Sequence, residues 1–341
     1  MTTRQSRSNA QTGMPHPMVH RLRVITRTTI LILFLIDCIR LLVLYMWAAN
    51  QIGINFGRPQ LTAGLSPLGG LFDVGVLLKT GRVDPGLPAS MIIILLGFTL
   101  SLCTKRSFCS WICPVSTVLD GLGHLGRHIF PGIHVSPRVD RILHAPATVI
   151  GCLIVGVTLF VIPAAVIIAQ WSAPYWLFSD LSVLFLFVQP SPLIIVGIVV
   201  IALSLWLGRN VWCSYLCLLG AFYGLVSKAS PLAITRNAEQ CISCGACSSV
   251  CPAHIDVAAS TKPLRSMSCT CCMECIAACP KDDALSPQLF GRTHVAPLVV
   301  AFIIGSIWFI IWMLALITGT WYGQIDPATL SQALTSFASA T

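Results

Sequence analysis

Eight cysteines between residues 241 and 280 stand in two copies of one pattern, C-x2-C-x2-C-x3-C-P. Cysteine thiolates ligate both zinc and iron–sulfur clusters, so the pattern predicts a metal-binding function. Four-cysteine zinc sites usually combine two short pairs with a longer gap between them. Two triplets that each close with Cys-Pro do not match that arrangement, and the pattern therefore favours iron–sulfur clusters.

The spacing also predicts how the cysteines are shared between two clusters. In bacterial two-cluster ferredoxins, three closely spaced cysteines ligate one [4Fe–4S] cluster, and the fourth, before proline, ligates the other. The first quartet is then Cys241, Cys244, Cys247 and Cys279. The second quartet is Cys251, Cys269, Cys272 and Cys275. Cys271 lies off the spacing and is interpreted as a buried thiol without a ligand role.

Four further cysteines form two Cys-x3-Cys pairs, Cys109 with Cys113 and Cys213 with Cys217. On a helix, positions i and i+4 share one face, so each pair would present two sulfurs together. If the two segments pack around a pseudo-twofold axis, this third quartet converges. It is then a candidate third iron–sulfur centre or another thiophilic metal site. The alternative is that these are small residues at a helix interface, or a reversible dithiol.

The composition indicates the setting of these cysteines. Of 341 residues, 55% are hydrophobic and only 10% are charged, with a mean hydropathy of +0.82. In soluble domains, about a quarter of all residues are charged. We therefore expect an all-α polytopic membrane protein with an inserted α+β dicluster ferredoxin domain. Clusters need thiolates, which persist in a reducing compartment.

Apolar stretches predict about five transmembrane helices, each long enough to approach the thickness of the hydrocarbon core. They cover residues 28–48, 87–103, 145–170, 192–207 and 295–318. With the N-terminus in the cytoplasm, 17 of the 21 Lys and Arg residues fall on cytoplasmic segments. This positive-inside asymmetry predicts a membrane protein with a cytoplasmic ferredoxin domain and an outside C-terminus. It also accounts for the net charge of +9, so no nucleic-acid partner is expected.

Two apolar stretches, residues 68–78 and 175–188, are too short to span and are interpreted as re-entrant segments. Asp73-Val-Gly-Val-Leu-Leu in the first matches Asp180-Leu-Ser-Val-Leu-Phe in the second. A proline, a span, a basic residue and a Cys-x3-Cys pair follow each stretch. This order predicts an internal repeat, and such repeats often place a site at their interface.

Together these features predict five regions. They are a disordered tail (1–22), a membrane domain with the duplicated units (23–208), a ferredoxin domain that includes the second Cys-x3-Cys pair (209–294), a fifth transmembrane helix (295–320) and a C-terminal segment (321–341).

Charged residues inside apolar segments are functional candidates because a charge in lipid is costly. Asp37 and Arg40 lie within the first span. They are either a quinone or proton site, with Asp37 as the proton acceptor, or a mutually neutralising pair that positions the helix. Asp73 and Asp180 precede apolar turns, which favours helix N-caps over a quinone contact.

The ordered set of motifs resembles a known family. The motifs are Lys105-Arg-Ser-Phe-Cys-Ser-Trp-Ile-Cys-Pro, Val211-Trp-Cys-Ser-Tyr-Leu-Cys, Gly220-Ala-Phe-Tyr-Gly and the two ferredoxin patterns. Over about residues 28–320 the chain resembles the NapH/NosR-type polyferredoxins, which are bacterial inner-membrane ferredoxin subunits. The resemblance implies electron exchange with quinones or a partner complex. In that family both short motifs usually end in proline, whereas here Leu218 stands at the second position.

Three functions remain open from the sequence. The first is a relay of single electrons between the quinone pool or a membrane redox partner and a partner oxidoreductase, in which quinol would be the substrate. The second is a reductase or assembly factor that handles a thiophilic metal such as copper at the third quartet. The third is a redox sensor. No general base, nucleophile or phosphate-binding loop is evident, so we expect redox chemistry carried by the cofactors.

Overall fold

The computed structural model of the protein describes residues 17–48, 58–130, 137–173, 176, 179, 192–281, 283–323 and 332. The described chain is mostly helical. Its helices are α1 (Pro17–Ala48), α2 (Pro67–Thr80), α3 (Pro88–Thr104), α4 (Ser107–Trp111), α5 (Pro114–Ile129), α6 (Pro137–Gly156), α7 (Ala164–Ile168), α8 (Pro192–Leu207), α9 (Leu218–Val226), α10 (Ala246–Ser249), α11 (Glu274–Ala277) and α12 (Pro297–Ile317).

The chain divides into two compact units. The first, called the cluster unit here, contains Met1–Ile30, Gly97–Gly151 and Val199–Ile307. The second, called the outer unit, contains Leu31–Leu96, Cys152–Ile198 and Trp308–Thr341. These units cut across the regions that the sequence predicts, because long helices contribute to both.

Three described helices are long and apolar enough to cross a membrane: Met18–Trp47, Ile142–Val161 and Pro297–Ile317. Many of their large apolar side chains are exposed, as at Ile39, Leu153 and Phe302, which suits a lipid environment. The sequence places residues 17–22 in a disordered tail, whereas α1 begins at Pro17. Proline favours the first helical position because its missing N–H needs no partner there.

The other two predicted spans are shorter helices. α3 has 17 residues and α8 has 16. At 1.5 Å per residue they measure about 24–26 Å, less than the ~30 Å hydrocarbon core. The predicted span over residues 145–170 is not one helix: α6 gives way to a π-helical turn at Val157–Val161, and Pro163 separates that turn from α7.

The outer unit contains the first predicted half-helix, residues 68–78, and α2 (Pro67–Thr80) covers this stretch with 14 residues. Residues 175–188 of the second stretch lie outside the described residues apart from Trp176 and Ser179. Within α2, Asp73 is buried and accepts a hydrogen bond of 3.0 Å from the Trp171 indole. The prediction that Asp73 is a helix N-cap is therefore wrong. Asp73 lies in the helix interior, and its carboxylate is hydrogen-bonded to an indole N–H. Asp180 is outside the described residues.

The cluster unit contains a three-stranded antiparallel sheet of order β1-β2-β3. The strands are β1 (Leu232–Arg236), β2 (Leu285–Leu289) and β3 (Thr293–His294). Leu232 pairs with Leu289 and Arg236 with Leu285. Both ferredoxin patterns lie between β1 and β2, so pairing of these strands closes the insert. Together with the one-turn helices α10 and α11, the sheet gives the insert the predicted α+β character.

Candidate iron–sulfur centres

The first quartet lines one cavity. Cys241 and Cys244 lie on the loop that leads into α10, Cys247 lies in α10, and Cys279 joins them from the end of the second pattern. The cavity has an empty volume of about 360 Å³ and is open to solvent. Apart from the cysteines, its lining combines apolar residues such as Ile242 and Leu285 with the basic residues Arg236 and Lys281.

The second quartet lines a separate cavity of about 350 Å³. Cys269 and Cys272 come from the loop that leads into α11, Cys275 lies in α11, and Cys251 crosses over from the first pattern. Ile234, Val257 and Leu264 form apolar walls. Each cavity therefore receives three cysteines from one copy and the last cysteine of the other, which is the sharing that the spacing predicts.

The two loops repeat an unusual backbone conformation. Ser243 and Gly245 have φ values of 54° and 73°, and the equivalent residues Cys271 and Met273 have φ values of 52° and 61°. The left-handed region is costly for residues other than glycine. Alternating right- and left-handed residues form concave nests of backbone N–H groups, which occur at many iron–sulfur sites. The backbone thus fits an anionic cluster in both cavities.

Cys271 is buried and lies off the ligand spacing. It does not line either cavity. Its left-handed position and its carbonyl, which accepts a 3.2 Å hydrogen bond from the Trp111 indole, give it a structural role. Over the described residues, no group of three or more His, Cys, Asp or Glu side chains is arranged to hold a single metal ion. A cubane places its thiolates on separate iron atoms, so the quartets are discussed as cluster ligands.

The structure also brings the third quartet together. Cys213 lies within electrostatic range of the other three cysteines, and Cys113 lies within range of Cys109 and Cys217. Burial, followed by the neighbouring Cys109 thiol, raises the pKa of Cys113 to about 12. A thiolate at this place therefore needs positive compensation, which a metal centre provides.

The sequence predicts that each pair lies on one face of a continuous helix, and the structure differs from this prediction. Cys109 is in the single turn α4, and Cys113 is the N-cap of α5, with ψ at 118°. Cys213 lies in the π-helical turn Trp212–Leu216, and Cys217 is the N-cap of α9, with ψ at 104°. The helix is interrupted between the two cysteines in both pairs. The positive end of the following helix then faces the second sulfur and favours its thiolate form.

The two Cys-x3-Cys segments adopt the same local turn. The Cys113 N–H donates to the Phe108 carbonyl, and the Cys217 N–H donates to the Trp212 carbonyl, which is a five-residue step in each case. Leu218 occupies the first position of α9, as Pro114 does in α5. The absent proline therefore leaves the turn unchanged.

Arg106 lies between the third quartet and the ferredoxin insert. Its guanidinium is buried and donates to the Cys213 carbonyl at 2.9 Å and to the Met267 carbonyl at 3.3 Å. The thiols of Cys109, Cys213 and Cys217 are its electrostatic neighbours. Arg106 thus offers a positive charge to a quartet that gathers four potential thiolates.

Two residues of α4 connect the third quartet to the second. Ser110 donates to the Thr270 carbonyl at 2.6 Å, and the Trp111 indole donates to the Cys271 carbonyl at 3.2 Å. Both acceptors lie between Cys269 and Cys272 in the chain. The Cys109 helix and the loop of the second quartet are therefore held together by direct hydrogen bonds.

A buried ionic network, which sequence reasoning missed, ties α1 to α11 and to α5. Arg23 forms an ion pair with Glu274, and His20 lies 3.0 Å from the same carboxylate. Arg27 forms an ion pair of 2.9 Å with Asp120 of α5. The only sequence signal was the run of basic residues before the first span, which the positive-inside rule already explained.

Asp37 and Arg40 form an ion pair that also contacts the backbone of Leu61. Arg40 donates to one Asp37 carboxylate oxygen at 2.9 Å, and the other oxygen accepts from the Leu61 N–H at 3.1 Å. This arrangement matches a pair that neutralises itself and anchors the following turn. A role for Asp37 and Arg40 at a quinone or proton site stays a prediction.

Two family profiles match the chain. One, described as a 4Fe-4S binding domain, matches residues 86–132 and 188–237, which contain the third quartet. The other, described as a 4Fe-4S dicluster domain, matches residues 233–280, which contain the first and second quartets. The fold and cysteines thus define a membrane-bound iron–sulfur protein.

Several curated proteins are similar to the chain. The electron transport protein YccM of Escherichia coli is 33% identical over 68% of this chain and 65% of its own length. The methylamine utilization ferredoxin-type protein MauN of Paracoccus denitrificans is 31% identical over 58% of this chain and 65% of its own length. The ferredoxin-type protein NapH of Escherichia coli is 26% identical over 58% of this chain and 68% of its own length.

These matches and the ordered cysteine motifs show that the chain belongs to the NapH-type polyferredoxins. YccM is similar to it over the largest share of the chain among the three relatives named. The chain spans slightly less than two thirds of the length of YccM and of the Paracoccus MauN. No solved structure matches the chain.

Proposed function

We propose that the protein relays single electrons between the quinone pool, or a membrane redox partner, and a partner oxidoreductase through two [4Fe–4S] clusters. The observation that carries this proposal is the pair of cavities, each lined by four cysteines drawn from both copies of the pattern. When bound, each cluster supplies a one-electron couple. The names of YccM, MauN and NapH, which refer to electron transport or ferredoxin-type proteins, support the same function.

The cysteines of the two quartets differ in exposure, since the first has one exposed and one buried cysteine and the second has two buried and none exposed, and this difference supports distinct roles. Cys244 of the first quartet is exposed, and Ile242 beside it is 57% exposed. In the second quartet, Cys269 and Cys275 are buried. We therefore assign the partner oxidoreductase to the first cavity, where a docked protein could shield the rim from water.

The third quartet supports a third iron–sulfur centre beside the second cavity. Three contacts join its surroundings to the loop of the second quartet, through Arg106, Ser110 and Trp111. Rigid contacts of this kind fix the separation between two sets of ligands. These residues thereby hold the second and third quartets as neighbours, while the first quartet contains the exposed Cys244.

The runner-up function is the handling of a thiophilic metal at the third quartet, and the convergence of its four thiols is the observation that favours it. However, Cys109 is buried, and the other three thiols are only partly exposed. A substrate ion needs access and release, whereas a resident centre gains from burial. The burial thus favours a resident centre.

The cellular setting belongs to the same proposal. The distribution of basic residues supports a cytoplasmic N-terminus and ferredoxin domain and an outside C-terminus. The similarity to YccM and NapH of Escherichia coli supports a bacterial cytoplasmic membrane. The five predicted regions and the five-span arrangement with a re-entrant repeat are kept as proposals. Fusions of reporter proteins to the two termini test the topology directly.

The central experiment counts iron and acid-labile sulfide in anaerobically purified protein and records low-temperature EPR spectra. Two [4Fe–4S] clusters give about eight iron atoms per chain, and a third gives about twelve. Cys113→Ser with Cys217→Ser should lower a count of about twelve to about eight, and the matched control Cys152→Ser should not. Folded protein without iron would refute the proposal.

A second measurement tests the quinone pool. A quinol analogue added to anaerobic membranes should reduce the clusters, or an oxidised quinone should reoxidise them. Asp37→Asn should slow that reaction if Asp37 accepts the proton. If quinone and quinol leave the redox state of intact clusters unchanged, the electron donor or acceptor is a protein partner.

A further inference from the structure

Lys105 is buried at the junction between α3 and α4. It is 1% exposed and is among the largest fully buried side chains of the described residues. Its backbone is left-handed, with φ at 61°, and its N–H donates to the Ser230 hydroxyl. These features fix the direction in which the side chain leaves the main chain.

The ammonium of Lys105 has no hydrogen-bond partner among the described residues. Burying an unpaired ammonium is costly, and buried charges are normally paired or in contact with a metal centre. Burial lowers the pKa of Lys105, the thiols of Cys269 and Cys271 raise it, and Arg265 lowers it. The neighbours that favour the charged form are thus sulfurs in the loop of the second quartet.

The residue at the equivalent position before the second Cys-x3-Cys pair is Arg209, and its charge has different partners. Lys105 precedes Cys109 by four residues, and Arg209 precedes Cys213 by the same interval. Arg209 is also buried, but it forms an ion pair of 3.0 Å with Asp140 and lies over the Tyr215 ring at 4.9 Å. The equivalent cation therefore has a carboxylate, and Lys105 has none in the described chain.

We propose that Lys105 is a positioning residue for the second quartet, and that its ammonium is the buried counter-charge of the anionic cluster held by Cys251, Cys269, Cys272 and Cys275. This inference rests on the proposed function. Reduction adds one negative charge to a cluster, and a fixed cation nearby stabilises the reduced form. Lys105 therefore raises the reduction potential of this cluster above the value that it would have without the charge.

The test measures both potentials by EPR-monitored redox titration. The signal that disappears in Cys251→Ser identifies the second quartet. Lys105→Met, with nearly the same shape and no charge, should lower that potential by at least a tenfold change in the reduction equilibrium, equal to about 59 mV for one electron. The potential of the first quartet should remain unchanged.

Four further variants separate the effect of charge from that of packing. Lys105→Arg keeps the charge and should retain the wild-type potential, and Lys105→Gln should behave like Lys105→Met. Lys228→Met removes an exposed lysine of the same unit and should have no effect. Cys271→Ala should also leave the potential unchanged, because the cluster and not this thiol is the partner of Lys105.

The outcomes distinguish this inference from the proposed function. Wild-type protein without clusters would refute the proposed function. Intact clusters with unchanged potentials in Lys105→Met and Lys105→Gln would refute the role of Lys105 alone. Loss of only the second cluster in both variants, with its retention in Lys105→Arg, would support it. Loss of both clusters in all three Lys105 variants would show a purely structural role and overturn it, as would a shift in Cys271→Ala equal to that in Lys105→Met.

Discussion

Arg23 and Glu274 form a buried ion pair, although 251 positions separate them in the sequence. Glu274 lies between two ligands of the second quartet, Cys272 and Cys275, and Arg23 lies in the first helix. Arg23 also donates to the Ser110 carbonyl at 3.1 Å. The first helix is therefore bound both to the ferredoxin loop and to the helix that carries Cys109.

The first prediction concerns this ion pair. Arg23→Met leaves Glu274 as a buried carboxylate without its main partner, and breaking a buried pair typically costs about 3–5 kcal/mol. We expect lower thermal stability in detergent and preferential loss of the EPR signal of the second quartet. The double variant Arg23→Met, Glu274→Gln should lose less than the sum of the single effects.

The exposed Arg292, in the same unit, provides the control for this prediction. Arg292→Met should leave stability and cluster signals unchanged. Strict additivity of Arg23→Met and Glu274→Gln would mean that the two residues do not act on each other.

The second prediction concerns the crossing of ligands between the two patterns. Cys279 lies beside Cys275 in the sequence but lines the cavity of Cys241, Cys244 and Cys247. Cys279→Ser should therefore produce the same spectral loss as Cys241→Ser. Cys251→Ser should instead resemble Cys269→Ser. EPR spectra of the four variants decide the point, and the reverse grouping would contradict the assignment.

The third prediction concerns the position at which the family usually has proline. Leu218 is the first residue of α9, after a cysteine in extended conformation. Both features are compatible with proline. Leu218→Pro should keep the full iron content and change the free energy of unfolding by no more than about 1 kcal/mol. Phe222→Pro, in the interior of α9, should cost about 3 kcal/mol or more.

If Leu218→Pro instead removes iron while the protein stays folded, the two Cys-x3-Cys segments are not equivalent. That result would contradict the common turn inferred from Cys113 and Cys217.

The fourth prediction concerns packing in the cluster unit. A Cβ atom on Gly126 of α5 would overlap the backbone carbonyl of Leu205 in α8, which cannot move independently of its helix. Gly126→Ala should therefore destabilise the protein by about 1–3 kcal/mol or more. On the same helix, a Cβ at Gly121 meets nothing within 4 Å.

Gly121→Ala is the matched control and should stabilise α5 by about 0.5–1 kcal/mol, because alanine has the higher helix propensity. Thermal unfolding of the two variants in detergent measures both effects. Equal stability of the two variants would mean that α5 and α8 are not in close contact.

The sequence by itself predicted which four cysteines line each of the two cavities. Ligand spacing is a local property, since three cysteines separated by two residues each can reach only one cavity, and the proline turns the fourth away. The helical conformation of the apolar segments was also predictable from local sequence, because it follows from their length and hydropathy. Boundaries were less certain, as the start at Pro17 and the interruption at Pro163 show.

Only the tertiary structure decided what happens to the polar residues between these elements. Asp73 lies inside a helix and accepts a hydrogen bond from an indole, and Arg209 forms an ion pair with a carboxylate. The buried Lys105 ammonium has the thiols of Cys269 and Cys271 as electrostatic neighbours. Cys113 and Cys217 lie at helix N-termini. The physical reason is that the free energy of a buried charge depends on which distant segment supplies its partner. The spacing of residues along the chain does not predict these contacts, because they form only when helices far apart in the sequence pack together.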